Sequence, residues 1–115
     1  MENDFRSRKW QLTINNPLKY GYNHDYIIKQ IEKIAGVVYY CMSDEIGIEE
    51  ETPHTHIFLY ANNAKKFSQI KKLFEKAHIE YVRGTCAENR DYIFKIGKWS
   101  NDIKTKTNIK ESHFE

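Results

Sequence analysis

Two histidines separated by one residue, His54 and His56, stand in a segment that reads as a β-strand. Side chains alternate across a strand, so both imidazoles project from one face and can reach the same metal ion. A third ligand must come from a neighbouring strand, and Glu45, at the end of the preceding strand, is well placed if the two strands form a hairpin. Two histidines and a carboxylate suit Mn²⁺, Mg²⁺ or a related divalent ion. Taken alone, the spacing also fits ordinary core or polar-face histidines.

A tyrosine and a lysine, Tyr92 and Lys95, are three residues apart in a segment predicted to be helical and therefore share a helix face. A phenol with a pKa of about 10 is a weak nucleophile. A nearby cation, such as Lys95 or a metal-polarised phosphate, could favour the phenolate or neutralise charge in the transition state. The chain has 8 tyrosines, so the same spacing also arises by chance.

Basic residues alternate with aromatic residues around this predicted helix. Such interleaving can follow a phosphate backbone while rings stack on bases. Arg83, Arg90 and Lys98 are the better candidates for DNA contacts, because they flank the segment that carries Tyr92. The net charge of +2 permits a nucleic-acid partner without requiring one.

The elements that must position these residues follow from hydrophobic periodicity. Strands are predicted over 9–15, 37–45, 53–61 and 78–83, and helices over 24–35, 67–77 and, after the capping box Thr85-x-x-Glu88, to about Lys95. This order predicts an α+β, ferredoxin-like or split-βαβ fold: a central antiparallel sheet of about five strands with flanking helices. RNA-recognition and nuclease domains share this plan, so the fold alone does not decide function.

Length and composition predict a single domain over residues 1–115 with one modest core. Cys41 and Cys86 lie far apart without a Cys-x-x-Cys motif, which predicts reduced core thiols rather than a disulfide framework or a zinc finger. No apolar run approaches the roughly 20 residues of a membrane helix, and no apolar signal segment follows Met1. We therefore expect an intracellular protein with no membrane partner.

Three segments, taken together and in order, resemble the HUH endonuclease domain of replication initiator (Rep) proteins. These proteins belong to circular single-stranded DNA viruses, circovirus- and geminivirus-like, and to related rolling-circle plasmids. The segments are LTINNP at 12–17, TPHTH at 52–56, and DYIFK at 91–95 followed by Gly97. The resemblance spans about residues 8–99. It departs at Thr55, where the family usually has a bulky hydrophobic residue between the two histidines.

The resemblance implies a metal-dependent DNA endonuclease and nucleotidyltransferase that nicks a replication origin through a 5′-phosphotyrosine. Tyr92 is then the nucleophile, assisted by Lys95, and the cofactor is Mn²⁺ or Mg²⁺ on Glu45, His54 and His56. The candidate DNA-binding residues are Lys9, Asn15, Asn16, Arg83, Arg90 and Lys98.

The implied partners are single-stranded DNA at an origin hairpin, a host DNA polymerase and a helicase. The helicase is either a further domain of the same protein or a host enzyme, because this chain has no GxxxxGK[ST] phosphate loop. Residues 101–115 are expected to be a tail or a linker toward such a domain, part of which could form a last strand. The expected location is replicating DNA, in a bacterial cytoplasm or a host nucleus.

Two other functions stay open from the residues. The first is a non-catalytic single-stranded nucleic-acid binding module, whose sheet presents His54, Phe58 and Tyr60 to bases. The Lys/Arg-Gly-Phe-aromatic order typical of such a sheet is missing from the sequence. The second is a metal-independent phosphoesterase with paired His-x-Thr motifs, but the sequence contains no such motif.

Overall fold

The computed structural model describes residues 4–46, 52–95 and 106–109. The elements are, in order, β1 (Arg6–Asn15), a short 3₁₀-helix (Pro17–Tyr20), α1 (His24–Glu32), β2 (Val37–Ile46), β3 (Pro53–Lys66), α2 (Phe67–Leu73), β4 (His78–Tyr81), α3 (Cys86–Lys95) and β5 (Lys106–Ile109). The predicted order of strands and helices is confirmed, and β5 is the last strand that the sequence left open. No helix within the described ranges has the length and apolar character needed to cross a bilayer.

The five strands form one sheet in the order β4-β1-β3-β2-β5, and every neighbouring pair is antiparallel. The predicted α+β fold class is therefore confirmed. β3 lies in the middle, paired with β1 on one side and β2 on the other. Its end at Lys66 lies beyond the predicted end at residue 61, because Arg6 and Ser7 of β1 continue the pairing opposite Lys66 and Lys65.

The main core lies on the sheet face that carries the alternating residues Trp10, Leu12 and Ile14 of β1. These three side chains are at most 1% exposed. They pack against α1 and α2, which contribute Ile27, Ile31 and Ile70. Fully burying one such aliphatic side chain stabilises the fold by about 1.5–3 kcal/mol, so this face anchors the sheet.

A smaller core lies on the opposite face of the sheet, beneath α3. Its members include Cys41, Phe58, Cys86 and Ile93, each at most 1% exposed. Both cysteines are free and buried, as predicted. Burial raises the pKa of the Cys41 thiol to about 12. The face that carries the candidate chemistry is thus partly covered by the helix of Tyr92.

The start of α3 matches the predicted capping box. The Glu88 backbone N–H donates to Thr85 Oγ1 at 3.0 Å, and the Thr85 N–H donates to Glu88 Oε1 at 2.9 Å. Two N–H groups that the first turn would leave unpaired are therefore satisfied reciprocally. This fixes where α3 begins and hence where Tyr92, two turns later, stands.

Candidate metal and nucleophile site

Glu45, His54 and His56 lie on adjacent positions of one sheet face. The register of β2 against β3 sets Glu45 opposite His54, and Ser43 opposite His56. His56 Nε2 donates to Glu45 Oε1 at 2.7 Å, and both side chains are only 10% exposed. On the other side of the ring, Thr13 Oγ1 lies 3.3 Å from His56 Nδ1. The hairpin predicted from the sequence therefore brings the carboxylate to the second histidine.

The second oxygen of Glu45 has unusual surroundings. Glu45 Oε2 is buried and accepts no hydrogen bond from any residue that the structure describes. A buried carboxylate oxygen without a partner costs free energy, because it has lost water and gained nothing in return. A cation would satisfy it. The buried oxygen and the oxygen–nitrogen donor set thus fit a divalent metal ion.

His54 is more exposed than His56 and has a different partner. A hydrogen bond joins His54 Nδ1 to Asn15 Oδ1 at 2.5 Å, and the two imidazole centroids are 6.0 Å apart. Across residues 4–46 and 52–95, no three His, Cys, Asp or Glu side chains converge as a ready-made metal site. The three predicted ligands are neighbours, but Glu45 and Asn15 each hold one imidazole in a hydrogen bond.

Tyr92 stands on α3, which crosses the same sheet face. Two hydrogen bonds fix the helix there: Ser43 Oγ donates to the Ile93 carbonyl at 2.9 Å, and Gln11 Nε2 donates to Asn89 Oδ1 at 2.8 Å. Because Ser43 is the register partner of His56, the helix lies beside the histidine pair. The Tyr92 side chain is 58% exposed, although most large apolar residues of this face are buried.

The Tyr92 ring lines a groove of about 470 Å³ together with Gln11, Glu80 and Arg83. Gln11 and Thr13 are successive residues on this face of β1, about 7 Å apart. The groove therefore opens close to the Thr13–His56 contact. Lys95 is the last residue of α3, one turn after Tyr92, and its side chain lies outside the described part of the chain.

Asn89 supports this arrangement and was not predicted from the sequence. Its side chain is 5% exposed, and its Nδ2 donates to the carbonyls of Arg83 and Thr85 at 2.9 Å each, while its Oδ1 accepts from Gln11. Asparagine is unfavourable inside helices because its side chain competes for backbone groups. The presence of an asparagine in the predicted helix, one turn before the candidate nucleophile, was the sequence signal that could have indicated this role of Asn89.

Lys9 and Arg83 meet in a second groove, of about 280 Å³, which also contains Arg8. Arg83 and Val82 line both grooves, so the two grooves are adjacent. Lys9 Nζ donates to the Gly84 carbonyl at 2.6 Å and lies 5.2 Å from the centroid of the Tyr60 ring. The structure thus unites two of the predicted DNA-binding residues next to Tyr92.

Arg8 is an additional basic residue of this groove. Strict alternation assigns it to the face opposite Lys9, but the register of β1 against β3 shifts between Ser7 and Lys9. Such a bulge re-aims a side chain. The Arg8 guanidinium consequently lies 5.4 Å from the centroid of the Tyr60 ring, and Arg8 Nη2 donates to the Tyr60 hydroxyl at 2.9 Å.

The other predicted DNA-binding residues lie elsewhere. Arg90 is two positions before Tyr92, which turns it to the other side of α3, and Arg90 Nη2 pairs with Asp91 Oδ1 at 3.1 Å. Asn16 adopts a left-handed backbone at φ 51° and ψ 55°, and its N–H donates to the Pro53 carbonyl at 2.8 Å. Asparagine tolerates this conformation better than most residues. Lys98 lies outside the described residues.

The open sheet face required by a binding module with an RRM-like sheet is not present. Phe58 is fully buried in the small core under α3, and Tyr60 is 8% exposed beneath the Arg8 and Lys9 side chains. The alternative function, in which both rings are presented to bases, therefore does not fit the described sheet face. It failed because the predicted third helix packs over the sheet face that such a module leaves open.

Comparisons with known proteins agree with these motifs. Residues 7–96 match the family described as "Putative viral replication protein". The chain is similar to the replication-associated proteins of pigeon circovirus (32% identical over 93 residues), beak and feather disease virus (32% over 91) and porcine circovirus 1 (36% over 94). These matches cover 78–79% of the chain and 27–29% of the relatives, so the chain spans less than a third of their length.

Proposed function

The chain belongs to the family of viral replication proteins, and from this premise we propose that it nicks and rejoins single-stranded DNA at a replication origin. The observation that carries the proposal is the position of α3. An exposed tyrosine stands on a helix packed beside a buried Glu45–His56 pair, whose second carboxylate oxygen has no partner among the described residues. A nucleophile next to a cation site suits transesterification at phosphorus.

The proposed reaction is balanced in bonds and protons. Tyr92 Oη forms a bond to phosphorus while the bond between phosphorus and the 3′-oxygen breaks. The phenolic proton leaves to solvent, and the departing 3′-oxygen takes up a proton, which leaves a 5′-phosphotyrosine and a free 3′-hydroxyl. Attack by a 3′-hydroxyl on the phosphotyrosine reverses the step and joins strands without ATP. Lys95, one turn from Tyr92, is proposed to contact the reacting phosphate.

Glu45, His54 and His56 are the residues proposed to hold Mn²⁺ or Mg²⁺. When bound there, the ion supplies positive charge to the oxygens of the reacting phosphate. Thr13 and Glu45 already fix the orientation of His56 through its two ring nitrogens. Asn15 contacts His54 through Nδ1, so His54 Nε2 could ligate the ion with this contact intact, whereas at His56 the ion would replace the contact between Nε2 and Glu45.

The two adjacent grooves on either side of Arg83 are the proposed path of the single strand. Arg8, Lys9 and Arg83 place three positive charges along it, which suits a phosphate backbone. Asn15 is the last residue of β1 and lies opposite His54, and Asn15 and the following Asn16 are proposed to contact the DNA strand on the other side of the site. Arg90 and Lys98 are kept as secondary candidates. The proposed DNA substrate is an origin hairpin, in a bacterial cytoplasm or a host nucleus. The proposed protein partners are a polymerase, which extends the free 3′-hydroxyl, and a helicase.

The decisive experiment looks for the covalent intermediate. The protein is incubated with Mn²⁺ and single-stranded oligonucleotides, including origin-type hairpins, and analysed by denaturing gel and intact mass. We expect a protein–DNA adduct that is lost with a chelator and in Tyr92→Phe. Tyr26→Phe is the matched control, because Tyr26 is also exposed, at 41%, but lies on α1. DNA that is bound and never linked would refute the proposal.

Metal binding is tested separately by thermal unfolding with Mn²⁺ alone. A ligand at 100 times its Kd stabilises the folded state by about 2.7 kcal/mol. We expect this stabilisation in the wild type and its loss in Glu45→Gln, which keeps the side-chain shape. His78→Asn, at an exposed histidine on β4, should leave it unchanged. Equal stabilisation of all three proteins by Mn²⁺ would show that Glu45 is not a metal ligand.

A further inference from the structure

A cavity of about 310 Å³ lies at the ends of β2 and β3, on the side of the candidate metal site away from Tyr92's groove. Glu45 and His54 form part of its wall, together with the 3₁₀-helix and the residues leading into α1. We call it the strand-end cavity. Its volume is near the lower limit of the roughly 300–1,000 Å³ of small-molecule pockets, which suits one nucleoside rather than two.

Four apolar residues, three of which carry rings, form part of the wall of the strand-end cavity. Pro17, Tyr22 and Pro53 line it, and Leu18 stands at its rim with 75% of its surface exposed. Tyr22 is held in place by its stacked contact with Phe74, at a centroid distance of 6.3 Å. Flat, rigid apolar surfaces of this kind suit the face of an aromatic ring.

A hydrogen-bonded group of polar side chains also lines the strand-end cavity. His24 Nε2 lies 3.0 Å and 2.9 Å from the two carboxylate oxygens of Asp44, and Thr55 Oγ1 donates to Asp44 Oδ1 at 2.7 Å. All three residues line the cavity. Donors and acceptors beside apolar surfaces match a nucleobase, which has a polar edge and an apolar face. Thr55, which departs from the family pattern, is part of this group.

From this combination we propose that the strand-end cavity holds one unstacked base of the single strand, next to the nucleotide whose phosphate reacts. The inference rests on the proposed function, because the position of the reacting phosphate depends on it. Glu45 and His54 belong both to the proposed metal site and to the cavity wall, so the base and the phosphate lie within one nucleotide of each other. The site thereby selects a base as well as a phosphate.

The first test uses nucleotides without the rest of the strand. The protein labelled with ¹⁵N is titrated with each of the four deoxyribonucleoside 5′-monophosphates and with 2-deoxyribose 5-phosphate. At least one nucleotide should shift the amide resonances of Leu18, Tyr22 and Thr55, and the sugar phosphate should not. Leu18→Trp, which fills the rim, should abolish the shifts. Tyr20→Trp, a similar change on a neighbouring exposed residue outside the cavity, should preserve them.

The second test uses the adduct reaction on the nicked oligonucleotide. An abasic site is moved along the strand, and at one position beside the nick the adduct yield should fall about tenfold in the wild type. In Leu18→Trp the same abasic site should change the yield less than twofold. A Tyr92-dependent adduct without this difference overturns the inference and leaves the proposed function intact. Nucleotide binding in the cavity without any adduct overturns the proposed function instead.

Nucleotide shifts that fall around Arg8, Arg83 and Tyr92 and spare the strand-end cavity also overturn the inference. So do shifts that the sugar phosphate reproduces at Leu18 and Thr55, because they require only a phosphate. Circular dichroism of Leu18→Trp confirms that the variant is folded, and the exposure of Leu18 makes a folding defect unexpected.

Discussion

Replacing Asn89 with alanine tests how α3 is held on the sheet. The change removes three hydrogen bonds, from Gln11 and to the carbonyls of Arg83 and Thr85. A buried hydrogen bond contributes about 1 kcal/mol net, so the expected loss of unfolding free energy is about 3 kcal/mol. For a chain of this size that corresponds to a fall in Tm of about 12 °C. The adduct reaction should also slow, because Asn89 is one turn from Tyr92.

The assay is urea unfolding followed by tryptophan fluorescence, since Trp10 is buried in the main core. Asn63→Ala is the matched control, because Asn63 is an exposed asparagine of β3, and its expected change is within about 0.5 kcal/mol. The denaturant slope of Asn89→Ala should equal that of the wild type, since the same surface is exposed on unfolding. A loss below 1 kcal/mol, or one equal to that of Asn63→Ala, would refute the role of Asn89.

Three further outcomes follow from the geometry. Gly84→Ala should destabilise the fold by about 1–2 kcal/mol in urea unfolding, because Gly84 has φ 90° and an added Cβ would lie 2.9 Å from Glu88 Oε1; an unchanged midpoint would contradict this. The hydrogen bond to Asp44 raises the pKa of His24 above 6.5, with a smaller contribution from Asp25. The contact between His24 and Asp44 therefore stabilises the fold fully below pH 6.5, and this stabilisation is lost as the pH rises through the raised pKa of His24. His24→Gln should therefore cost more stability at pH 6 than at pH 8.5, and the reverse order would refute the assignment. The native protein should not react with Ellman's reagent at pH 8, because Cys41 has a pKa of about 12 and both cysteines are buried; two thiols should react after unfolding.

Much of the fold could be predicted because its periodicity is local. The alternation of Trp10, Leu12 and Ile14 fixed which face of β1 is buried, and the capping box fixed the start of α3. The neighbouring positions of Glu45 and His54 followed from pairing the two strands as a hairpin.

What could not be predicted depends on contacts between distant segments. The bulge that turns Arg8 toward Tyr60 depends on the register between β1 and β3, and no residue type in β1 predicts it. Of the three hydrogen bonds of Asn89, the one from Gln11 of β1 spans 78 positions of sequence, whereas the other two go to the nearby loop after β4. The burial of Phe58 could likewise be predicted only by knowing on which face of the sheet α3 packs.

The central position of β3 has a consequence for motion. His54 and His56 stand on a strand that is hydrogen-bonded on both sides, so their backbone opens only when the sheet unfolds. Tyr92 stands on a helix fixed to the sheet by the side chains of Gln11 and Ser43 and by a small core. Such a unit opens at lower free energy than the sheet. Amide hydrogens of β3 should exchange far more slowly than those of α3, so the proposed nucleophile can move between the proposed cleavage and joining steps while the backbone of the imidazoles stays fixed.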